Sequence, residues 1–218
     1  MATDLHLIIA NKAYSSWSLR PWLAMKVKKL PFKETVIPLG QDDTPARIKQ
    51  FSPTGKVPAL QHGGIAVWDS LAILDYLADQ FFDRHWWPSD PHARAVARSI
   101  SAEMHSGFTN LRQNLTMNVR KTFPAEPRTP EVDADIARIK AIWNECRAKF
   151  GAGGPFLFGE FSNADAMYAP VVTRFKTYSV DLDPVCAAYS DAVLKLPEMR
   201  EWYTSAAGEP WIIAKYEK

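Results

Sequence analysis

The chain has 218 residues, of which 47% are apolar, 12% aromatic and 23% charged. This composition excludes a disordered protein, and no stretch of about eighteen uncharged apolar residues is present that would span a membrane. The net charge is only +2, and the sequence has no concentrated basic face, which argues against a nucleic-acid partner. Two cysteines are too few for a disulfide scaffold, and Asp4 before a short apolar run argues against a secretory signal. We therefore expect a cytoplasmic protein.

Strands and helices alternate in the first part of the chain. Runs of apolar or β-branched residues predict strands. The spacing of Leu19, Trp22 and Leu23 predicts a helix, with Pro21 in its first turn. Asp69, with the serine after it, offers an N-cap to the third helix. The predicted order is strand 5–10, helix 16–27, strand 32–38, helix 46–50, strands 57–61 and 65–68, and helix 71–77.

The pattern changes after residue 82. Residues 83–92, DRHWWPSDPH, are rich in proline and aromatic residues and predict an inter-domain linker. Beyond them only helical periodicity is present, and the prolines of TFPAEPRTP interrupt it. The sequence thus predicts an α/β domain over residues 1–82 and an all-helical domain over residues 93–218. The predicted helices of the second domain cover 93–121, 131–150, 162–176, 185–196 and 197–206.

Two serines stand at the junction of the first strand and the first helix. The segment YSSWSLR places Ser15 and Ser16 at a helix N-terminus, where unpaired N–H groups and a partial positive charge favour an anion such as a thiolate. A serine hydroxyl there donates a hydrogen bond to the thiolate and lowers its pKa. The alternative is that these serines only cap the helix, which is their common role in this position.

Two further motifs combine groups suited to a peptide-like ligand. In Lys56-Val57-Pro58, a cis bond before the proline would expose the Val57 backbone for pairing with such a ligand. Asp69 and Ser70 offer oxygens and N–H groups to the ammonium and carboxylate of an amino acid. The alternatives are an ordinary proline at a strand start and a simple helix cap.

Together and in this order, these motifs resemble the cytosolic glutathione transferase superfamily. The resemblance rests on Ser15-Ser16, on SPTGKVPAL, on WDSLAILDYLAD and on an S-x-x-D capping box at Ser162 and Asp165. It spans nearly the whole chain. It implies a thioredoxin-like α/β N-terminal domain followed by an all-α helical-bundle domain, a structural role for the capping box, and a homodimer.

The resemblance implies glutathione as the co-substrate or cofactor. Val57, followed by Pro58, would pair its backbone with the cysteinyl part of glutathione. Asp69 and Ser70 would hold the γ-glutamyl end, and Lys56 would lie beside the tripeptide. Because no cysteine occupies the first helix turn, the reactive sulfur would come from glutathione and omega-type thiol–disulfide exchange is not expected.

The thiolate-activating residue is assigned by similarity to the serine-type zeta pattern of the superfamily. YSSWSLR is similar to the zeta order of two serines, a cysteine, a serine and an arginine, so Ser15 takes the catalytic position. Ser16 stays an alternative, and so does Tyr14, because other classes use a tyrosine hydroxyl. Trp17 replaces the zeta cysteine, and Tyr14 stands where zeta members have an arginine that contacts an acidic substrate.

Residues from both domains are candidates for the electrophile site. Tyr14 and Trp17 indicate an apolar pocket near the thiol, whereas Arg174, in an Arg-Phe-Lys context similar to that of the zeta class, indicates a carboxylate-bearing substrate. The first long C-terminal helix lines this site in the superfamily, although its residues could equally belong to the domain core. The candidates that it carries are His105, Phe108 and Arg112.

The expected function is transfer of glutathione to a small electrophile. The alternatives are glutathione-dependent cis–trans isomerisation of the maleylacetoacetate type and a non-catalytic binding module that keeps the fold. The histidines show no metal-ligand spacing, so we expect no metal, and Cys146 and Cys186 are expected to be inert. The presence of the serine pair together with Val57-Pro58 and Asp69-Ser70 favours an enzyme.

Overall fold

The computed structural model of the protein describes residues 4–123 and 127–217. Its strands are β1 (Leu5–Ile9), β2 (Lys33–Val36), β3 (Ala59–His62) and β4 (Ile65–Trp68). They form one sheet in the order β2-β1-β3-β4, in which β1 is parallel to β2 and antiparallel to β3, and β3 is antiparallel to β4. In this register Leu7 of β1 lies opposite Glu34 and Leu60.

After β4 the described chain is mainly helical, with two isolated β-bridges between residues 156 and 160. Short 3-10 helices at Phe82–Arg84 and Ala214–Tyr216 complete the architecture, which confirms the predicted fold class. Within the described ranges, no helix has the length and apolarity needed to cross a membrane. The α-helices are α1 (Ser16–Val27), α2 (Thr44–Lys49), α3 (Ser70–Gln80), α4 (Pro91–Ser106), α5 (Thr109–Asn114), α6 (Pro130–Phe150), α7 (Asn163–Thr177), α8 (Pro184–Lys195) and α9 (Pro197–Ala207).

The single helix predicted over residues 93–121 is wrong, because α4 ends at Ser106 and the short α5 follows it. Gly107 leaves the helix in extended backbone, and Phe108 has a φ of 55°. A Cβ atom at position 107 would lie 2.7 Å from the carbonyl oxygen of Glu103, so this turn requires glycine. The proline-rich segment that was predicted to end this helix lies partly outside the described residues, at positions 124–126.

Pro21 also departs from its predicted place. It lies inside α1, beyond the first turn, where proline removes a backbone hydrogen bond of the helix. Tertiary packing keeps the helix intact, since every residue from Ser18 to Met25 is buried. Sequence rules that place proline in the first turn describe an isolated helix and do not include this packing.

Helix α1 joins the two halves of the protein. It packs against α3 on the side of the sheet and against α7, in which nearly every residue is buried. Its Trp22 meets Trp202 of α9 edge-on, with ring centroids 4.9 Å apart, and both side chains are 0% exposed. Trp143 is equally buried. Much of the tryptophan content therefore belongs to the core.

A buried capping box begins α7, as the resemblance implied. Asp165 accepts hydrogen bonds from the Ser162 N–H at 2.8 Å and the Ser162 hydroxyl at 3.1 Å through Oδ2. Its Oδ1 accepts the Leu157 N–H at 3.0 Å. Burial raises the pKa of Asp165 to about 6, against the opposing effect of these donors. The box thus satisfies three donors that would otherwise be buried without partners.

We expect Asp165→Ala to lower the free energy of unfolding by about 3 kcal/mol, because it leaves several buried donors without acceptors. Asp183 is the matched control, since it caps α8 by accepting the Val185 and Cys186 N–H groups at a partly exposed site. Asp183→Ala should cost only about 1 kcal/mol. Denaturant unfolding of both variants measures the difference, and equal losses would contradict a special role for the buried box.

Candidate functional site

A cavity of about 480 Å³ lies between the sheet half and the helical half of the protein. Its walls come from the start of α1, the loop before β3, the junction of β4 with α3, and helices α4 and α5. The predicted site residues that line it are Trp17, Lys56, Val57, Pro58, Asp69, Ser70, His105 and Arg112, and the sequence analysis did not select its other lining residues, Thr54 and Trp68.

The loop before β3 presents unpaired backbone to this cavity. The Val57–Pro58 bond is cis, the geometry considered from the sequence. Within the part of the chain that the structure describes, the N–H and C=O of Val57 form no hydrogen bond. Both groups are therefore available to pair with an extended peptide ligand. Lys56, the preceding residue, is exposed at the rim.

The start of α3 supplies a carboxylate and a free N–H group. Asp69 has a φ of 75° and caps the helix through Oδ1, which accepts the Leu71 N–H at 2.9 Å. Its Oδ2 lies 3.2 Å from His105 Nε2 on α4, so this contact joins the two halves across the cavity. The N–H of Ser70 has no hydrogen-bond partner among the described residues. A carboxylate beside a helix N-terminus suits the ammonium and carboxylate groups of an amino acid.

Trp17 is surrounded by nitrogen-bearing side chains. The guanidinium carbon of Arg20 lies 4.2 Å from the ring centroid, and that of Arg112 lies 5.3 Å from it. The imidazole of His105 meets the same ring edge-on at 5.4 Å. The two guanidinium groups gain cation–π attraction from the indole. The Trp17 ring therefore holds two positively charged side chains close together at the cavity wall.

Among the described residues, Arg20, Arg112 and the neighbouring Arg174 form no salt bridge, and the carboxylates of Asp69 and Asp135 act on Arg20 and Arg112 without direct contact. Arg20 is 1% exposed and Arg174 is 4% exposed, and the Nε atoms of Arg20 and Arg112 are buried without hydrogen bonds. Burial, followed by repulsion from the neighbouring arginines, lowers the pKa of Arg20 to about 9 and that of Arg174 to about 10. The cluster would be stabilised by an anion. Its hydrogen bonds go to neutral oxygens of Ser70, Thr109, Leu115 and Pro170.

Two serine hydroxyls, those of Ser15 and Ser18, meet at the N-terminus of α1. Ser15 caps the helix, accepting the Ser18 N–H at 3.4 Å, and its hydroxyl donates to Ser18 Oγ at 2.8 Å. Ser18 Oγ also accepts the Ala10 N–H at 3.1 Å. The Ser16 hydroxyl has no hydrogen-bond partner among the described residues. Ser15 and Ser16 are buried directly before Trp17, which lines the cavity, and do not line it themselves.

The Tyr14 hydroxyl is engaged by the C-terminal segment. It donates to Glu217 Oε1 at 2.5 Å and accepts hydrogen bonds from the Ile213 N–H and the Arg120 guanidinium. Burial, followed by the hydrogen bond to Glu217, raises the pKa of Tyr14. Its ring lies 5.4 Å from that of Tyr216. The structure therefore directs this hydroxyl away from the residues that line the cavity.

The remaining predicted residues lie behind the cavity wall. Phe108 is buried in the core, and Arg174 is buried on α7. Sequence reasoning missed Arg20, although a signal was present, since an arginine follows closely on Trp17 in a helix made mostly of apolar residues. It also missed Ser18, which can be separated from an ordinary helix serine only by its hydrogen bonds to Ser15 and Ala10.

Two family models match the chain. The "Glutathione S-transferase, N-terminal domain" matches residues 14–80, and the "Glutathione S-transferase, C-terminal domain" matches residues 129–205. The first match includes the α1 serines, the Val57–Pro58 loop and the start of α3, whereas the second includes α7.

Individual glutathione S-transferases and related isomerases are also similar to this chain. Maleylacetoacetate isomerase of Rattus norvegicus is 32% identical over 177 residues, covering 78% of each chain. Glutathione S-transferase Z2 of Arabidopsis thaliana is 26% identical over 200 residues, covering 85% of this chain and 87% of that protein. Among solved structures, the holo form of a bacterial maleyl pyruvate isomerase, described as a zeta-class glutathione S-transferase, aligns with a TM-score of 0.69 at 22% identity, covering 94% of this chain and 98% of that one. A glutathione transferase homologue from Burkholderia with bound glutathione aligns with a TM-score of 0.72 at 19% identity, covering 94% and 100%. These two structures support the fold.

We expect Arg20→Met to raise the free energy of unfolding by about 1–3 kcal/mol, because it replaces an unpaired buried charge with an apolar side chain of similar length. Arg174→Met is the matched control. It should lower stability by about 1–3 kcal/mol, because the Leu115 and Pro170 carbonyls lose the donors of Arg174. Denaturant unfolding measures both values. A loss of stability in Arg20→Met would contradict the view that Arg20 is buried without a salt-bridge partner among the described residues.

Proposed function

The chain belongs to the glutathione S-transferase family and is a glutathione-dependent enzyme, and we propose that it activates the glutathione thiol through the Ser15 hydroxyl for reaction with a small, carboxylate-bearing electrophile. The observation that carries this proposal is the cavity, which the Asp69 carboxylate and the Val57 backbone and Ser70 N–H, unpaired within the described residues, share with Trp17 of the first turn of α1 and with Arg112. When bound, glutathione supplies the reactive sulfur.

The residues present fit glutathione as a ligand. The Asp69 carboxylate can hold the γ-glutamyl ammonium, and the Ser70 N–H and hydroxyl can hold the adjacent carboxylate. The Val57 N–H and C=O, unpaired within the described residues, can pair with the cysteinyl backbone. Lys56, which is exposed at the rim, can attract the glycyl carboxylate. Each polar part of the tripeptide thus meets a group of matching chemistry.

The start of α1 favours a negatively charged sulfur. A hydroxyl that donates to a thiolate stabilises the ionised form and lowers the thiol pKa. The partial positive charge of the helix N-terminus acts in the same direction. Ser15 is favoured over Ser16 by its similarity to the zeta pattern and by its place as the N-cap of α1. Tyr14 is disfavoured because Glu217, Arg120 and the Ile213 N–H bind its hydroxyl at the C-terminal segment, away from the residues that line the cavity.

Arg112 is the arginine of the cluster that lines the cavity. Together with Trp17, it supports an electrophile that carries both an unsaturated or aromatic part and a carboxylate. Arg174 and Arg20, buried behind it, add positive potential there. Such an electrophile is consistent both with the apolar pocket and with the carboxylate-bearing substrate that the sequence indicates. Isomerisation of the maleylacetoacetate type stays the alternative reaction, as does a binding module without turnover.

The domain division at residues 83–92 and the homodimer also stay proposals. Exposed apolar side chains outside the cavity support a partner surface in the sheet half. They are Ile65 at 54% and Phe82 at 80% exposure.

We expect bound glutathione to have a thiol pKa well below that of free thiols, which is about 8.5. Ser15→Ala should raise that pKa by about 1–2, because a hydrogen bond to the charged sulfur is lost. Ser16→Ala and Tyr14→Phe should leave it unchanged. Retention on immobilised glutathione, followed by the ultraviolet absorbance of the thiolate as a function of pH, measures these values.

Two outcomes of that titration contradict the proposal. Binding without a lowered thiol pKa in the unmodified protein rejects thiol activation, and loss of the effect in Ser16→Ala or Tyr14→Phe instead of Ser15→Ala rejects the assignment of Ser15. If the unmodified protein does not retain glutathione at all, the binding part of the proposal is also wrong.

We expect Arg112→Gln to raise KM for a carboxylate-bearing electrophile by roughly 10–100-fold, since a charge-assisted contact is lost. An uncharged aryl halide should be affected little. Arg138, which pairs with Glu103 at 2.8 Å on the surface, supplies the matched control Arg138→Gln. A panel of a maleylacetoacetate analogue, an aryl halide and an organic peroxide measures the preference, and Arg174→Gln shows whether the deeper arginine contributes. Equal KM changes for charged and uncharged electrophiles would reject the arginine site.

A further inference from the structure

To activate a thiol, the Ser15 hydroxyl must have its hydrogen free to donate to the thiolate. In the described structure its hydrogen is donated to Ser18 Oγ at 2.8 Å. A hydroxyl carries one hydrogen and can accept two. Ser15 can therefore donate to a thiolate only if its hydrogen leaves Ser18. If Ser18 can donate its own hydrogen to Ser15 Oγ, the Ser15–Ser18 hydrogen bond is reversed; if it cannot, the bond is broken.

Ser18 has the capacity for such a reversal. Its side chain is 0% exposed, and its Oγ accepts two hydrogens, one from the Ala10 N–H at 3.1 Å and one from Ser15. Its own hydrogen makes no hydrogen bond to any described residue. Rotation of the two hydroxyl hydrogens lets Ser18 donate to Ser15 Oγ and frees the Ser15 hydrogen. The bond from Ala10, which follows β1, is kept throughout, so no heavy atom has to move.

We propose that Ser18 is a positioning residue for thiol activation: it holds the Ser15 side chain in place and donates a hydrogen bond to Ser15 Oγ when Ser15 donates to the glutathione thiolate. This rests on the proposed role of Ser15. A hydroxyl that accepts a hydrogen bond becomes a stronger donor, because consecutive hydrogen bonds polarise one another. Ser18 would thus lower the thiol pKa without touching glutathione.

The geometry also explains why the third residue after Ser15 can play this part. In a helix, the N-cap side chain lies over the N–H group three residues later, and Ser18 N–H does point to Ser15 Oγ at 3.4 Å. A serine at that position places a second hydroxyl beside the first. Most helix caps use only the backbone N–H, whereas here the side chain of the same residue makes the shorter contact.

The test is a double-mutant cycle on the thiol pKa of bound glutathione, measured in the full-length protein by thiolate absorbance. Ser15→Ala should raise the pKa by about 1–2 and Ser18→Ala by about 0.5–1. The double variant should match Ser15→Ala, because Ser18 acts only through Ser15. Ser101→Ala is the matched control, since that buried hydroxyl donates to the Ala97 carbonyl at 2.7 Å within α4. It should not change the thiol pKa.

Further variants separate this role from simple stability. Ser18→Ala also removes the acceptor of the Ala10 N–H, so its Tm should fall. Ser18→Thr restores the hydroxyl and should restore the low thiol pKa even where its Tm stays reduced. Ser18→Cys fills the site, but its thiol is a weak donor, so it should raise the thiol pKa of bound glutathione as Ser18→Ala does. Difference spectra against the glutathione-free protein remove the absorbance of the introduced cysteine.

The outcomes are distinguishable. If Ser15→Ala raises the thiol pKa while Ser18→Ala and Ser18→Cys leave it unchanged, the inference on Ser18 is wrong and the proposed function stands. If Ser18→Ala raises the pKa equally with and without Ser15, Ser18 does not act through Ser15 and the inference is again wrong. If Ser15→Ala itself has no effect, both proposals fail.

Discussion

The packing of α1 against α7 is the constraint on which the rest of this structure depends. Helix α1 belongs to the sheet half and α7 to the helical half, and both are buried along most of their length. Because buried apolar area contributes about 25 cal/mol per Å², α1 cannot shift relative to α7 without a large loss of stability. Arg20 of α1 is therefore fixed relative to Arg174 of α7, although these residues come from different halves of the chain.

The loop that leads into α1 is held from its other side by the C-terminal region. Glu209 accepts the N–H groups of Lys12 at 2.6 Å and Ala13 at 3.0 Å, and Trp202 donates to the Lys12 carbonyl at 2.8 Å. These contacts satisfy backbone groups that lie just before the Ser15 cap. A helix N-terminus held in this way can receive an anion with little reorganisation, which is how a fixed dipole contributes most to stabilising charge.

The sequence predicted the parts of the site whose chemistry is local. SPTGKVPAL and WDS identified five lining residues because each motif holds its own loop or cap geometry within a few positions. Contacts between distant segments could not be predicted in that way. The hydrogen bond from Tyr14 to Glu217 joins residues 203 positions apart. Arg20 was missed because a sequence does not show that a charge is buried without a partner.

The distribution of charge around the cavity favours a ligand that carries more negative than positive groups. Positive potential converges there from the N-termini of α1 and α3 and from Arg20, Arg112 and Arg174, which form no salt bridge with any residue that the structure describes. The carboxylate that lines the cavity, Asp69, stands at one end and pairs with His105. A ligand with one ammonium group near Asp69 and several negative groups elsewhere matches this arrangement. Glutathione as a thiolate, with one ammonium and two carboxylates, has that pattern, and an acidic electrophile would use the arginines that the tripeptide leaves free. Burying the unpaired arginine charges lowers the stability of the protein without ligand. Because those charges are already desolvated and held in place, their attraction to an anion that enters the cavity is strong.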